Sequence, residues 1–293
     1  MTTSELVHNA TTVWCASYPK SGNTWLRALL TAYASGGTVD INDLDGGDQP
    51  GAHAMLFELL GLGVSGLAPA DVEPLRRLAT ELSNADTGGP RFRKVHDAYE
   101  PACDGVPRFL PEHTRVVAYI VRDPRAVAVS WAHHLNTTHD AAVEIMRSRP
   151  PAFTSPWLSE ASGYRLGTWS EHVESWLDQR DLPVEIVRYE DLVADAAAGL
   201  RRILEAADID VHLDLVDAAV VACSFDALAT QEILGGFTEA PRADRPFFRR
   251  GEAASWQREL SPALAATIER DHGAVMERLG YTTGLAPTTG SAK

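Results

Sequence analysis

The chain has 293 residues, of which 45% are hydrophobic and 23% charged, a composition typical of a globular enzyme with a sizeable core. No run of about 18 apolar residues is present, and residues 1–10 lack the features of a signal peptide, so we expect no membrane partner. The formal net charge of −14 argues against a nucleic-acid partner. An anionic ligand would therefore need a local basic pocket within an acidic protein.

The cysteines give no sign of a disulfide framework. Cys15, Cys103 and Cys223 are odd in number and widely spaced, which is also atypical of a zinc site. We therefore expect reduced thiols, a cytoplasmic location and no requirement for a metal.

Lysine is rare in this chain, since only Lys20, Lys94 and Lys293 occur among 26 basic residues. Such a skew indicates a GC-rich coding background, and hence a bacterial source. A lysine ammonium is a compact point charge, whereas an arginine guanidinium is a planar fork of donors, so arginine cannot replace lysine at every site. The two interior lysines, Lys20 and Lys94, are therefore candidates for a function.

The first predicted elements are a buried strand over residues 12–17, a polar turn and a helix over residues 24–34. A strand, a glycine-containing turn and a helix form the geometry of a phosphate-binding loop. Backbone N–H groups at the start of the helix point at the anion, and the helix dipole assists them.

Residues 36–90 are rich in Gly, Asp and Ala, with one predicted helix at 70–83. We interpret this stretch and residues 150–163 as insertions within a single domain of residues 1–284. Residues 285–293 are predicted to form a flexible tail.

Further predicted strands alternate with predicted helices along the rest of the chain. This order predicts a single α/β domain with a mostly parallel central sheet flanked by helices. The strands are predicted at 92–95, 115–121 and 184–188, and the helices at 124–135, 164–180, 197–207, 212–222, 225–233 and 262–279.

Four functional side chains are predicted at strand ends. Lys20, His96, Arg122 and Tyr189 each follow a predicted strand. Ligands of parallel sheets bind at the carboxyl ends of the strands, so these residues are predicted to form one site.

The string at residues 17–25, Ser-Tyr-Pro-Lys-Ser-Gly-Asn-Thr-Trp, departs from the Walker pattern of nucleotide kinases. Gly22 and Thr24 match the last Gly and the Ser/Thr of that pattern, but Asn23 stands where the Walker lysine belongs. The lysine lies at position 20 instead, inside a P-loop-like turn. No strong set of Mg²⁺ ligands accompanies it, which argues against ATP chemistry.

This string resembles the 5′-phosphosulfate-binding loop of the cytosolic sulfotransferases that depend on 3′-phosphoadenosine 5′-phosphosulfate (PAPS). Residues 119–131 are similar to that family's 3′-phosphate motif, with Arg122 and Ser130 eight residues apart. The tripeptide Lys94-Val95-His96 is similar to the family's Lys-x-His. The resemblance implies transfer of a sulfuryl group from PAPS to a hydroxyl of a small-molecule acceptor.

Weaker similarities extend over nearly the whole chain. The resemblance implies that Tyr189 contacts the adenosine side of PAPS and that Phe225 packs on adenine. Residues 248–256 resemble a late Arg-Lys-Gly-x-x-Gly-x-Trp loop that clamps the 3′-phosphate. Arg250 replaces the lysine of that loop, and Ala254 replaces its second glycine, where a positive φ would be costly.

The same resemblance assigns roles in the reaction. The family's histidine is the catalytic base, and histidine accepts a proton near neutral pH. Lysines would neutralise charge on the leaving phosphate and the sulfate oxygens. The predicted catalytic residues are His96, Lys20 and Lys94, and the predicted cofactor-binding residues are Lys20, Ser21, Gly22, Asn23, Thr24, Trp25, Arg122, Ser130, Tyr189, Phe225, Arg249, Arg250 and Gly251.

Two other functions remain open from the residues alone. A nucleotide kinase would need a lysine at position 23 and acidic Mg²⁺ ligands, whereas a non-catalytic nucleotide-binding module would not need Lys94 and His96. His133 and His134 fall on the helix after Arg122, where we expect a packing or surface role.

The acceptor is not specified by any motif. The two insertions are expected to line its pocket through Phe57, Phe153 and Trp157, and a bacterial natural product is a candidate acceptor. The family's short dimerisation motif has no counterpart in the chain, so the oligomeric state stays open.

Overall fold

A computed structural model of the chain describes residues 11–44, 56–57, 60–61, 67, 69–84, 89–99, 109–148, 166–240 and 245–284. Within these ranges the strands form one parallel sheet in the order β2-β1-β3-β4, which confirms the predicted α/β fold with a parallel central sheet. The strands are β1 (Thr12–Ala16), β2 (Arg91–Val95), β3 (Thr114–Val121) and β4 (Val184–Arg188).

Helices connect these strands and follow the last of them. They are α1 (Asn23–Ala34), α2 (Pro69–Asn84), α3 (Pro124–Leu135), α4 (His139–Arg147), α5 (Trp169–Asp178), α6 (Tyr189–Ala194), α7 (Ala196–Ala206), α8 (Leu213–Ala222), α9 (Phe225–Gly235), α10 (Trp256–Glu259) and α11 (Pro262–Arg278), with a 3₁₀ turn at Pro111–His113.

The two faces of the sheet carry separate hydrophobic cores. Trp14 and Ala16 of β1 pack into a core with α3, α4, α5 and α11, whereas Val13 and Cys15 pack into a second core with α1, α7 and α8. Side chains of a strand alternate between its faces, so a strand covered on both faces is apolar throughout. This explains why every residue of β1 is buried.

Register places the end of β2 against the loop that follows β1. The ladder pairs Ala16 with Val95, and the Ser17 N–H then donates to the Val95 carbonyl at 3.1 Å. His96, the next residue of the chain, therefore lies beside the predicted phosphate loop. Parallel strands end at one edge, so the Arg122 and Tyr189 positions share that edge with Lys20.

The helix predicted at 164–180 is shorter in the structure. It begins at Trp169 because Thr168 caps it, with the Thr168 hydroxyl and the Glu171 carboxylate forming a reciprocal capping box. The short helices α4, α6 and α10 were not predicted. Helices α6 and α10 have six and four residues, which are too few to show hydrophobic periodicity.

Several sequence-based expectations fall on residues outside the described ranges. These are the 150–163 insertion with Phe153 and Trp157, the tail at 285–293, and Cys103. Phe57 is 63% exposed and does not line the cavity described below. Cys15 and Cys223 are buried and form no disulfide with each other. None of the helices in the described ranges has both the length and the apolar character needed to cross a bilayer.

Candidate active site

A cavity of about 540 Å³ opens at the carboxyl edge of the sheet. It collects side chains from the loop after β1, from the end of β2, from α3 and from the segment after α9. The predicted site residues on its wall are Lys20, Gly22, Asn23, Thr24, Trp25, Lys94, His96, Arg122, Ser130, Tyr189, Phe225, Arg249, Arg250 and Gly251. Ser21 is buried and does not line it.

The loop after β1 presents the start of α1 to the cavity. Gly22 caps the helix with φ 108°, and a Cβ built there would lie 2.7 Å from Tyr189 Cδ2. Only glycine fits both constraints. The N–H groups of Asn23, Thr24 and Trp25 occupy the first helical turn, where they have no carbonyl partner within the helix. Such a turn is suited to bind an anionic group.

The Asn23 side chain braces this loop from inside. Its Nδ2 donates to the Cys15 carbonyl at 2.6 Å and to Ser17 Oγ at 3.2 Å. The predicted contact of Asn23 with a ligand is therefore left to its backbone N–H. The Ser21 hydroxyl is buried and has no hydrogen-bond partner among the described residues.

Lys20 occupies a left-handed backbone position with φ 70°. Its Nζ lies 3.1 Å from His134 Nδ1 and 4.4 Å from the centre of the Phe247 ring. Burial, followed by repulsion from Arg122 and Lys94, lowers the pKa of Lys20 to about 7. Uptake of an anionic ligand would favour the charged ammonium.

His96 is held in one tautomer. Its Nδ1 lies 3.0 Å from the Ser17 carbonyl oxygen, which can only accept, so Nδ1 carries the proton of the neutral ring and Nε2 carries the lone pair. Burial, followed by the charge of Lys94, lowers the pKa of His96 to about 3. The imidazole is therefore in its proton-accepting form at neutral pH.

A second histidine supports the backbone at this position. His172 Nε2 donates to the His96 carbonyl at 3.1 Å, and its Nδ1 lies 2.9 Å from the Tyr119 hydroxyl, which donates to it. Burial lowers the pKa of His172 to about 4 and keeps the ring neutral. The sequence analysis missed His172, because no local pattern links it to His96 across 76 residues.

Lys94 is part of a largely buried ionic cluster. Its Nζ lies 3.1 Å from Glu239 Oε2, while Arg27 Nη1 lies 2.7 Å from Glu239 Oε1. The sequence analysis singled out neither Arg27 nor Glu239.

Arg122 reaches over the mouth of the phosphate loop. Its Nη1 donates to the Lys20 carbonyl at 3.4 Å and its Nη2 donates to the Glu252 carbonyl at 3.2 Å. The guanidinium lies 4.2 Å from the centre of the Tyr189 ring. Its Nε is buried and unpaired among the described residues, which leaves a donor for a ligand. Ser130 lies two turns further along α3, on the same cavity wall.

The late loop contributes a glycine and two arginines. Gly251 has φ 66°, and a Cβ there would lie 2.6 Å from Phe225 Cδ2. Ala254 is not among the positive-φ residues of the described chain, so its replacement of glycine imposes no such strain. Both arginines point at Glu259: Arg249 forms two bonds of 2.5 and 3.1 Å with it, and Arg250 Nε lies 3.7 Å away.

Aromatic rings flank the start of α1. Trp25 Nε1 donates to the Cys223 carbonyl at 2.9 Å, and its ring meets the Tyr189 ring edge-on at 5.8 Å. Phe225 is 36% exposed on the same wall. These rings form a surface suited to stack against a planar base.

His134 lies on the cavity wall next to Lys20, and its ring packs edge-on against Trp131 and Phe247. These ring contacts fit the expected packing role, whereas the contact with Lys20 was not expected. Burial, followed by the charge of Lys20, lowers its pKa to about 3. The signal in the sequence was its spacing, because residues four apart share a helix face and Ser130 is four residues earlier.

The cavity wall is cationic although the chain is acidic. It carries six cationic side chains and two carboxylates, within a chain of net charge −14. Such a wall favours an anionic ligand. The cations are Lys20, Arg27, Lys94, Arg122, Arg249 and Arg250, and the carboxylates are Glu239 and Glu252. Among the described residues, no group of three or more His, Cys, Asp or Glu side chains could hold a metal ion.

Comparison with known proteins gives a consistent family. The sulfotransferase domain family matches residues 10–280. Sulfotransferase 1B1 of Mus musculus is 26% identical over 251 residues, which cover 82% of this chain and 74% of the mouse protein.

Two solved structures share the fold. A retinol dehydratase in complex with androsterone and the inactive cofactor PAP has a TM-score of 0.59 at 18% identity, covering 94% of this chain and 82% of that chain. The sulfotransferase domain from the curacin biosynthetic pathway has a TM-score of 0.50 at 13% identity, covering 93% and 98%. Because the family match spans nearly the whole chain, this protein belongs to the sulfotransferase domain family, which confirms the predicted PAPS-dependent sulfotransferase.

Proposed function

We propose that this cavity transfers the sulfuryl group of PAPS to the hydroxyl of a small organic acceptor. The observation that carries the proposal is the shared wall of the phosphate loop and His96. The loop brings an internal lysine and unpaired backbone N–H groups, and β2 brings a neutral histidine whose lone pair lies on Nε2.

PAPS would bind with each of its two anionic ends against a separate group of hydrogen-bond donors. The 5′-phosphosulfate fits the first turn of α1 and Lys20, whereas the 3′-phosphate fits Arg122, Ser130 and Arg249. Arg249 would give up part of its pairing with Glu259 in order to bind the phosphate. The adenine would lie against the aromatic rings at the start of α1.

The proposed reaction is an in-line displacement at sulfur. The acceptor oxygen forms a bond to sulfur while the bond from sulfur to the bridging oxygen of PAPS breaks. His96 Nε2 takes the acceptor's proton, and Lys20 offsets the charge that develops on the leaving phosphate. The products are a sulfate ester and adenosine 3′,5′-bisphosphate. Lys94 is assigned to the oxygens of the transferred group.

A nucleotide kinase is disfavoured by the loop itself. A Walker lysine would be needed at position 23, where the Asn23 amide is instead held inside the loop by the Cys15 carbonyl. The cations and His96 fit sulfuryl transfer without a Mg²⁺ ion.

The acceptor side of the cavity is apolar in part. Ile41 and Leu44, from the 36–90 stretch, line it together with Phe247 and Phe248. This wall suits an apolar compound with a hydroxyl group, and we extend the proposal to bacterial natural products of that kind.

Screening a panel of phenols, alcohols and hydroxylated natural products with ³⁵S-labelled PAPS tests the proposal. We expect label in a sulfate ester of at least one acceptor, with an equal amount of adenosine 3′,5′-bisphosphate. The His96→Ala protein is the control and should form labelled ester about 10²–10⁴-fold more slowly. If the His96→Ala protein transferred label as fast as the wild type, the assignment of His96 as the base would be wrong.

A further inference from the structure

The half-buried carboxylate of Glu239 lies between two cations of the cavity wall. One oxygen meets Arg27 of α1 at 2.7 Å, and the other meets Lys94 of β2 at 3.1 Å. The side chains of Arg27, Lys94 and Glu239 are 1%, 13% and 25% exposed, so the cluster is mostly shielded from solvent. Removing one partner from such a cluster leaves a charge uncompensated.

The three residues before Glu239 are held in place by two sets of contacts. Asn42 receives the Thr238 N–H at 2.8 Å and donates to the Gly236 carbonyl at 3.1 Å. Phe237 is buried against Phe247 and Phe248, with ring centres 4.8 and 5.7 Å away. A carboxylate on such a segment has a fixed position and can hold the side chains it contacts.

The ammonium of Lys94 has three donors, and Glu239 takes one of them. The remaining donors can meet the oxygens of a transferred group, and their direction is set by the bond to Glu239. The titratable groups that face this cluster are Lys20 and the neutral His96, and burial lowers the pKa of both.

We propose that Glu239 is a positioning residue, which directs the Lys94 ammonium at the sulfuryl group and ties the helix of the phosphate loop to β2. The inference rests on the proposed sulfuryl transfer. Glu239 would then increase the rate of transfer. It would also weaken binding of PAPS, because its negative charge repels that anion.

Glu239→Gln separates this role from a purely structural one. We expect kcat to fall about 10²-fold, the cost of a small misplacement at a reacting centre. At a pH well below the pKa of Lys20, where that ammonium stays charged in both proteins, adenosine 3′,5′-bisphosphate should bind at least as tightly as in the wild type, and more tightly at low ionic strength, because one negative charge has left the cavity. The basic limb of the pH–rate profile should also move to lower pH, since Glu239 raises the pKa of Lys20.

Two further variants complete the test. Glu239→Asp keeps the charge, so it should restore wild-type affinity for the bisphosphate and the wild-type basic limb. Glu269→Gln is the matched control, because Glu269 is a buried partner of Arg125, 2.7 Å away, and does not line the cavity. It should leave the rate and the pH profile unchanged.

The outcomes distinguish the inference from the function on which it rests. If the wild type transfers label but Glu239→Gln keeps kcat within twofold, the positioning role is wrong. If Glu239→Gln loses rate and bisphosphate affinity together, Glu239 only supports the structure and the inference also fails. Absence of transfer by the wild type would overturn the proposed function itself.

Discussion

Lys20 offers the most discriminating substitution, because an arginine and an alanine at this position separate shape from charge. Lys20 sits at φ 70°, a cost that any residue other than glycine bears, so Lys20→Arg and Lys20→Ala share the same backbone strain. Its Nζ is confined between His134, 3.1 Å away, and the Phe247 ring, 4.4 Å away. A broad planar guanidinium cannot occupy this space and still place one donor on the bridging oxygen.

The expected magnitude follows from the role assigned to the ammonium. A preorganised donor at a developing charge contributes about 2.7–4 kcal/mol, or about 10²–10³ in rate. Lys20→Ala should lose this amount, and Lys20→Arg should lose almost as much although it keeps the charge. If Lys20 supplied only positive charge to the cavity, the arginine variant would retain most of the rate.

Single-turnover transfer at saturating PAPS measures the effect without interference from product release. Thermal unfolding with adenosine 3′,5′-bisphosphate serves as the control for folding and ligand binding. A Lys20→Arg rate within threefold of the wild type would refute the account of the loop.

The other predictions use the same assays. His96→Ala should lose about 10²–10⁴-fold in transfer rate yet bind adenosine 3′,5′-bisphosphate normally, and retention of more than a tenth of the rate would remove it as the base. Arg122→Ala should weaken calorimetric binding of the 3′,5′-bisphosphate by about 10- to 150-fold, whereas equal losses for adenosine 5′-phosphate would move it off the 3′-phosphate. Gly22→Ala should abolish bisphosphate binding, because its methyl would meet Tyr189 at 2.7 Å on a backbone with φ 108°; near-normal affinity would show that the loop can shift. Because the pKa of Lys20 is about 7, bisphosphate affinity should be highest below pH 7 and fall as the free enzyme loses that proton above it; a Lys20→Met variant that kept the same pH dependence would contradict this.

The sequence identified the parts of the site that are local in the chain. The loop, the strand ends and the helix after Arg122 each have a signature within about ten residues, which is the range over which capping and periodicity act. Parallel topology brings the strand ends together, so the sequence alone predicts that Lys20 and His96 share one site. All predicted residues except Ser21 line the cavity.

The residues that were missed depend on contacts across the fold. Glu239 meets Lys94 from 145 residues away, and Tyr119 meets His172 across 53 residues. Neither contact has a local sequence pattern, because the partners are brought together only by the packing of distant elements. The start of α5 was predicted too early because the amphipathic pattern extends to residues before Thr168, the residue that caps the start of the helix.

A crystal structure with bound adenosine 3′,5′-bisphosphate tests the central claim most directly. We expect the 5′-phosphate within hydrogen-bond distance of the Asn23 and Thr24 N–H groups, on the side of the cavity that His96 faces. We expect the 3′-phosphate against Arg122 and Ser130. A bisphosphate bound in the reverse direction, or outside this cavity, would contradict the claim.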